Sequence, residues 1–216
     1  MIADVFLDGT SIFGLGWLRE NVDFPTPQSQ TNTIVVPGRN SPIRFTEAFG
    51  RVSYQSRNFS ITLSMLGDRK RFDTMTEVLA NRYAGKLTRV IRSEEPELYA
   101  IGTLELEPAY DSLTGKGQIL ISCSDGDTYR YHLNETVISI TGGGNALLEN
   151  DYMPVVPTIV TTEETALSWN VGSDVFKKSV SAGTWVFPEL ELQAGTNTVN
   201  ITGSGKTTFR YREGRL

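Results

Sequence analysis

FPELELQAGTNTVNITGSGKTTFRYREGRL, residues 187–216, decides the fold class. Leu190 and Leu192 alternate with Glu189 and Glu191, Val199 and Ile201 with Asn200 and Thr202, and Phe209 and Tyr211 with Arg210 and Arg212. That period of two belongs to half-buried strands, and the Gly-rich breaks between the runs are turn chemistry. The stretch also holds the most enzyme-like signature in the chain, GSGKTT at 203–208. A phosphate-binding loop needs a glycine five residues before the Gly of Gly-Lys-Thr and a helix afterwards whose N-terminus faces the anion. Asn200 stands at that glycine position, and the residues after Lys206 alternate as a strand. The reading is therefore a hairpin turn rich in Gly and Ser, with no nucleotide or other cofactor implied.

Moving outward, 216 residues suit one large all-β domain or two small ones. A net charge of -5 gives no global basic field for nucleic acid or an anionic membrane. Cys123 is the only cysteine and His132 the only histidine, so an intrachain disulfide, a thiolate zinc site and a two-histidine metal site are all excluded. His132 lies in the alternating run YRYHL and reads as a surface or half-buried strand residue. Asp4 and Asp8 interrupt the apolar residues at the N-terminus, which has no basic leader, and no run approaches the ~20 apolar residues of a membrane span. The expectation is a chain made and kept in a cytoplasm without membrane insertion. The sequons at Asn58, Asn134 and Asn200 then read as polar strand residues.

Most of the remaining chain alternates in short runs. Val5, Phe6 and Leu7 enter an Asp-Gly turn, with 11–18 as the expected returning strand, and Phe59, Ile61, Leu63 and Met65 mark one face of another. Residues 86–92 and 99–106 alternate around an acidic turn, and 117–124 with 128–133 reads as a hairpin around Asp125-Gly126-Asp127, a spacing too short for a calcium cage. One helix is expected over 68–84. Asp68 caps it, Phe72, Met75, Val78, Leu79 and Tyr83 fall on one face, and Gly85 ends it. Residues 24–40 form a polar, proline-interrupted arm that runs into a Pro37-Gly38 turn. TGGGN at 141–145 is the most flexible stretch, so the expected organisation is an N-terminal domain 1–140, a linker 141–153 and a small β-sandwich 154–216.

In order and spacing these pieces resemble the distal tail protein (Dit) family of long-tailed, siphovirus-type phages. The resemblance rests on IVVPGRNS at 34–41 after an N-terminal strand pair, the single helix, the strand passage 99–110, and the closing sandwich with GTN at 195–197 and FRYREGRL at 209–216. It implies a mainly β protein whose N-terminal β-sandwich-like domain, with its one α-helix, joins copies of itself into a homohexameric ring with an open channel. A galectin-like β-sandwich follows at the C-terminus. It further implies a place at the end of the virion tail, at the tail tip or baseplate. There the ring binds the major tail tube protein and serves as assembly hub for the tail-associated lysin or tail fibre hub protein and the receptor-binding proteins. Some relatives carry inserted carbohydrate-binding modules in the C-terminal domain, and this chain has no room for them.

A ring subunit needs arms and edges that pair with a neighbour. The candidate contact residues are Pro25, Thr33, Pro37, Gly38 and Arg39. The alternative function is a carbohydrate-binding module for host adhesion, whose candidate stacking residues are Trp169 and Trp185. Both sit in alternating strands, the usual place of a core tryptophan. An enzyme built on two carboxylates finds no distinct cluster among the 25 acidic residues, so no catalytic or metal-binding residue is assigned.

Overall fold

The computed structural model describes residues 3–44 and 51–216 and divides into two compact units, Met1–Arg130 and Tyr131–Leu216. Besides a two-stranded hairpin at 33–44, the first unit contains two antiparallel sheets among the described residues. One runs in the order Thr10–Ser11, Val5–Leu7, Leu87–Arg92, Glu95–Thr103. Its first turn is Asp8-Gly9, with φ of 47° and 80°. Positive φ at both central residues is what a type I′ two-residue hairpin requires, which suits Asp-Gly. The expected return strand 11–18 is cut short, because Phe13–Leu15 forms a 3-10 turn that tucks Trp17 into the core.

The second sheet has the order Leu18–Asp23, Arg57–Leu66, Lys116–Gly126, Glu105–Asp111. Phe59, Ile61, Leu63 and Met65 face the core beside Ile119, Ile121 and Cys123, while Ser60, Thr62 and Ser64 take the other face. The expected pairing of 117–124 with 128–133 is thus replaced: strand Lys116–Gly126 bonds to two longer neighbours, whose registers let its inward row reach the core.

The helix spans Arg69–Tyr83, and the Asp68 side chain accepts from the Arg71 N–H at 2.7 Å. Phe72, Leu79 and Tyr83 are buried, whereas Val78 is exposed at the margin of the stripe. Phe72 meets Trp17 edge-on at 6.0 Å and Tyr110 at 5.3 Å. It lies so close over strand Lys116–Gly126 that a Cβ on Gly117 would come 2.2 Å from its ring. The Tyr83 hydroxyl donates to the Leu7 carbonyl at 3.2 Å, tying the helix to the first sheet.

The second unit is a sandwich of two four-stranded antiparallel sheets. One orders Thr136–Thr141, Lys206–Tyr211, Thr158–Thr161, Gly183–Val186; the other orders Gly144–Asn150, Gly195–Gly203, Thr165–Val171, Asp174–Val180. The segment expected to be a linker, 141–153, contains the strand Gly144–Asn150, whose Ala146 and Leu148 are fully buried, and the division between units falls earlier, after Arg130. The three glycines form a corner. The chain passes from one sheet to the other at 142–143, and again at 162–164, 181–182 and 204–205. Ser204-Gly205 therefore joins strands of opposite sheets, and no hairpin forms there.

These corners bond to one another. The Gly142 N–H donates to the Gly205 carbonyl at 2.9 Å, and the Lys206 N–H to Thr162 Oγ1 at 2.8 Å. A Cβ on Gly205 would stand 2.8 Å from Glu163 Cβ, so the close approach of two crossings demands glycine. Residues 187–193 form an irregular segment, not a strand, that still buries Leu190 and Leu192.

Gly117→Ala forces Phe72 out of its place and should lower stability by about 1–3 kcal/mol, the range for overpacking a filled core. Denaturant unfolding followed by circular dichroism measures it; an unchanged midpoint contradicts the packing of the helix on this strand.

Candidate functional site

The arm starts where Phe24 leaves strand Leu18–Asp23. Its ring stacks on Phe59 with centroids 4.4 Å apart, and the Arg92 guanidinium carbon lies 5.1 Å from its centroid. One residue on, the Pro25 carbonyl accepts from Arg57 Nη1 at 2.7 Å. Pro27 is buried. The chain then runs antiparallel to 53–55: the Gln55 N–H donates to the Gln28 carbonyl at 2.8 Å and the Gln30 N–H to the Ser53 carbonyl at 2.7 Å, around a bridge between Ser29 and Tyr54.

Beyond that root the arm becomes a hairpin. Thr33 pairs with Arg44 and Ile34 with Ile43, and the Arg39 N–H closes the turn on the Val36 carbonyl at 3.1 Å. Gly38 has φ +80° with nothing within 4 Å of an added Cβ, so it is there for its backbone and not for space. Every residue from 28 to 42 is exposed, including Ile34, Val35 and Val36, and Val35 reaches 79%. Among the sequence-predicted contact residues, Thr33, Pro37, Gly38 and Arg39 lie together on this hairpin, while Pro25 lies at its root. A two-stranded hairpin is marginal in water by itself, and three consecutive aliphatics facing solvent ask for cover.

Motif and composition do not single out Arg57; the fold does. It is 2% exposed and occupies the same inward row as Phe59, Ile61, Leu63 and Met65. Its guanidinium donates to two neutral carbonyls, Pro25 at 2.7 Å and Thr128 at 3.1 Å, its Nε has no hydrogen-bond partner, and among the described residues no carboxylate pairs with it. Burial, followed by repulsion from Arg130 and Arg92, pushes its pKa down to about 10, so it stays charged at neutral pH. Arg92 and Arg130 both form ion pairs with Glu95, which leaves Arg57 as the member of the group held by carbonyls. The one sequence signal for it is the parity of position 57: a charged residue in phase with an apolar row.

The face of the second sheet turned away from the core is mostly polar, with Leu120, Leu18 and Leu66 as exposed apolar exceptions. It carries Ser60, Thr62, Ser64, Gln118 and Ser122, with Glu105 and Glu107 on one edge strand and Glu20 bonded to Gln118 at 2.6 Å near the other. Both edges, Leu18–Asp23 and Glu105–Asp111, end the sheet among the described residues, and Pro108 interrupts the donors of the second.

The two tryptophans of the alternative reading do not form a joint platform. Trp169 is 3% exposed, donates its indole N–H to the Glu189 carbonyl at 3.1 Å, and stacks on Phe176 and Phe187. Trp185 is half-buried, donates to the Ser181 carbonyl at 3.0 Å, and lies 7° from coplanar with Phe187. His132 stands 3.1 Å from Asp151, which also accepts from Arg215 at 2.7 Å. Among the described residues no group of three His, Cys, Asp or Glu side chains is arranged to hold a metal, and no described helix is long and apolar enough to cross a membrane.

Trp169→Ala should cost about 3–5 kcal/mol as a core truncation, and Trp185→Ala distinctly less. Equal losses in thermal or denaturant unfolding would contradict the different burial of the two rings.

No protein-family model matches the sequence, and no curated protein is significantly similar to it. Among solved structures, the crystal structure of the SPP1 Dit protein (gp 19.1), described as a paradigm of the hub adsorption apparatus in phages infecting Gram-positive hosts, superposes with a TM-score of 0.68. The identity is 14%, and the match covers 98% of this chain and 99% of that one. The arrangement of strands and helix is thus shared almost end to end: the chain has the fold of a phage distal tail protein.

Proposed function

We propose that the chain is a structural, non-catalytic phage distal tail protein that closes into a homohexameric ring. The ring joins the tail tube protein to the tail tip or baseplate and is the hub on which the tail-associated lysin or tail fibre hub protein and the receptor-binding proteins assemble in the virion tail. The observation that carries this reading is the exposed hairpin 33–44, aliphatic along Ile34, Val35 and Val36, basic at Arg39 and Arg44, and fastened at its root to a folded body. A second copy of the chain gives those side chains cover.

The second sheet of the N-terminal unit adds support. Its two edges differ in sequence and length, and a contact of one edge with the other edge of the next copy is head-to-tail, the kind of contact that closes into a ring when the rotation allows. The likeness to SPP1 Dit, itself described as part of a hub adsorption apparatus, points the same way. The carbohydrate-module reading keeps only half-buried Trp185 as a stacking candidate.

Concentrated protein should sediment at six times the 23.9 kDa chain mass. The triple substitution Ile34→Ser, Val35→Asp, Val36→Ser should melt like the wild type at a dilution where both are monomers, and stay monomeric at concentrations where the wild type assembles. A wild-type chain that stays monomeric at every concentration and salt tried, or a triple variant that assembles normally, refutes the arm as subunit contact.

A further inference from the structure

We infer that Arg57 is a positioning residue for assembly: by fastening the Pro25 carbonyl to the strand Arg57–Leu66 it holds the arm's root in the one direction that a neighbouring copy accepts. The inference rests on the reading that the arm is the subunit contact.

Three observations carry it. First, Arg57 breaks a rule of its own strand. Positions 59, 61, 63 and 65 point inward and are apolar, and position 57, in phase with them and equally buried, carries a cation. Breaks in an otherwise consistent pattern collect at functional places. Second, the cation is poorly compensated: it is held by two carbonyls, and its Nε is left without a partner. Well-packed apolar side chains in place of buried charges are often neutral for stability or better, so a buried charge kept here is consistent with a role in conformational specificity.

Third, one of the two carbonyls belongs to the first turn of the arm and sits beside the ring stack of Phe24 on Phe59 and the contact of Arg92 with Phe24. Outside this cluster the arm's root is held by the backbone pairs around Ser29 and Tyr54 and the side-chain bond of Gln30 to the Tyr54 carbonyl at 3.3 Å, all at exposed positions except half-buried Tyr54. A free arm samples many directions, and only the fraction pointing correctly binds. The apparent affinity falls by that fraction.

Arg57→Met tests this. At a dilution where both proteins are monomers the fold should melt at or above the wild-type temperature, while self-association measured by sedimentation weakens at least tenfold. Rescue separates positioning from a merely structural role. Ser29 and Tyr54 face each other as a non-hydrogen-bonded antiparallel pair, the geometry in which Cα atoms stand about 4.5 Å apart, within the span a disulfide bridges. Adding Ser29→Cys and Tyr54→Cys to Arg57→Met should restore assembly under oxidising conditions and lose it again on reduction. Cys123 does not interfere, because it is buried and burial pushes its thiol up to about 11.

Normal assembly by Arg57→Met, or failure of the disulfide to restore it in a folded variant, overturns the inference. If Arg57→Met unfolds, Phe24→Leu removes the ring contacts at the same root and leaves the charge. Loss of assembly in that folded variant supports the inference, and retention overturns it. The two levels fail separately. If Ile34→Ser, Val35→Asp, Val36→Ser abolishes the ring and Arg57→Met does not, the arm remains the contact and only the role of Arg57 falls.

Discussion

The N-terminal unit depends on strict alternation along Arg57–Leu66. This strand is hydrogen-bonded on both sides, to Leu18–Asp23 and to Lys116–Gly126, and its inward row supplies the floor on which the helix and the first sheet pack. A register slip of one residue exchanges Phe59, Ile61, Leu63 and Met65 for Ser60, Thr62, Ser64 and either Asn58 or Leu66, so burial fixes the pairing. The same slip carries Arg57 out of the interior and releases the Pro25 carbonyl. The arm's anchorage and the core are therefore set by one register. On the proposed reading, the presentation of the arm is tied to the longest ladder in the unit.

The energetics of Arg57 make sense only in that light. A hydrogen bond to a charged donor contributes about 1.5–3 kcal/mol net, whereas removing an ion from water costs several kcal/mol even after relaxation. Two carbonyl acceptors and one unsatisfied Nε leave these terms close to balance. Stability alone gives no reason to keep the residue. What the guanidinium does, and an apolar chain cannot, is hold two carbonyls from distant parts of the sequence, Pro25 and Thr128, at fixed distance from one strand.

The helix, the inward strand rows and the mainly β class are legible in the sequence because each is a local pattern: Asp68 caps, Gly85 stops, and period-two runs have turn residues at their ends. Partner choice is less legible. Residues 117–124 pair with Arg57–Leu66 and Glu105–Asp111 and not with the run C-terminal to them, since pairing is decided by which inward rows meet across the core, a non-local matter. Thr33, Pro37, Gly38 and Arg39 are readable as an exposed turn from composition, while the clamp at the root is not. Arg57 escapes notice when the alternating run is counted from Asn58, one position past the residue whose parity carries the information.

The glycines of the second unit show the same limit from the other side. TGGGN and GSG look flexible, and a composition argument makes one a linker and the other a hairpin tip. In a sandwich whose chain crosses between sheets six times, four of the crossings are short corners. There glycine serves in two ways: Gly142, with open space around it, supplies a φ of +78° and bonds to Gly205, while Gly205 approaches Glu163 closer than any Cβ allows. That packing also disposes of the phosphate-loop resemblance, since Lys206 begins a strand and a neighbouring corner occupies the space a phosphate would need. With Trp169 stacked between Phe176 and Phe187 and the corners stitched together, the aromatic and glycine-rich residues that most suggest chemistry serve a rigid sandwich. The distinctive surface features of the other unit are then the exposed arm and the sheet edges that end among the described residues.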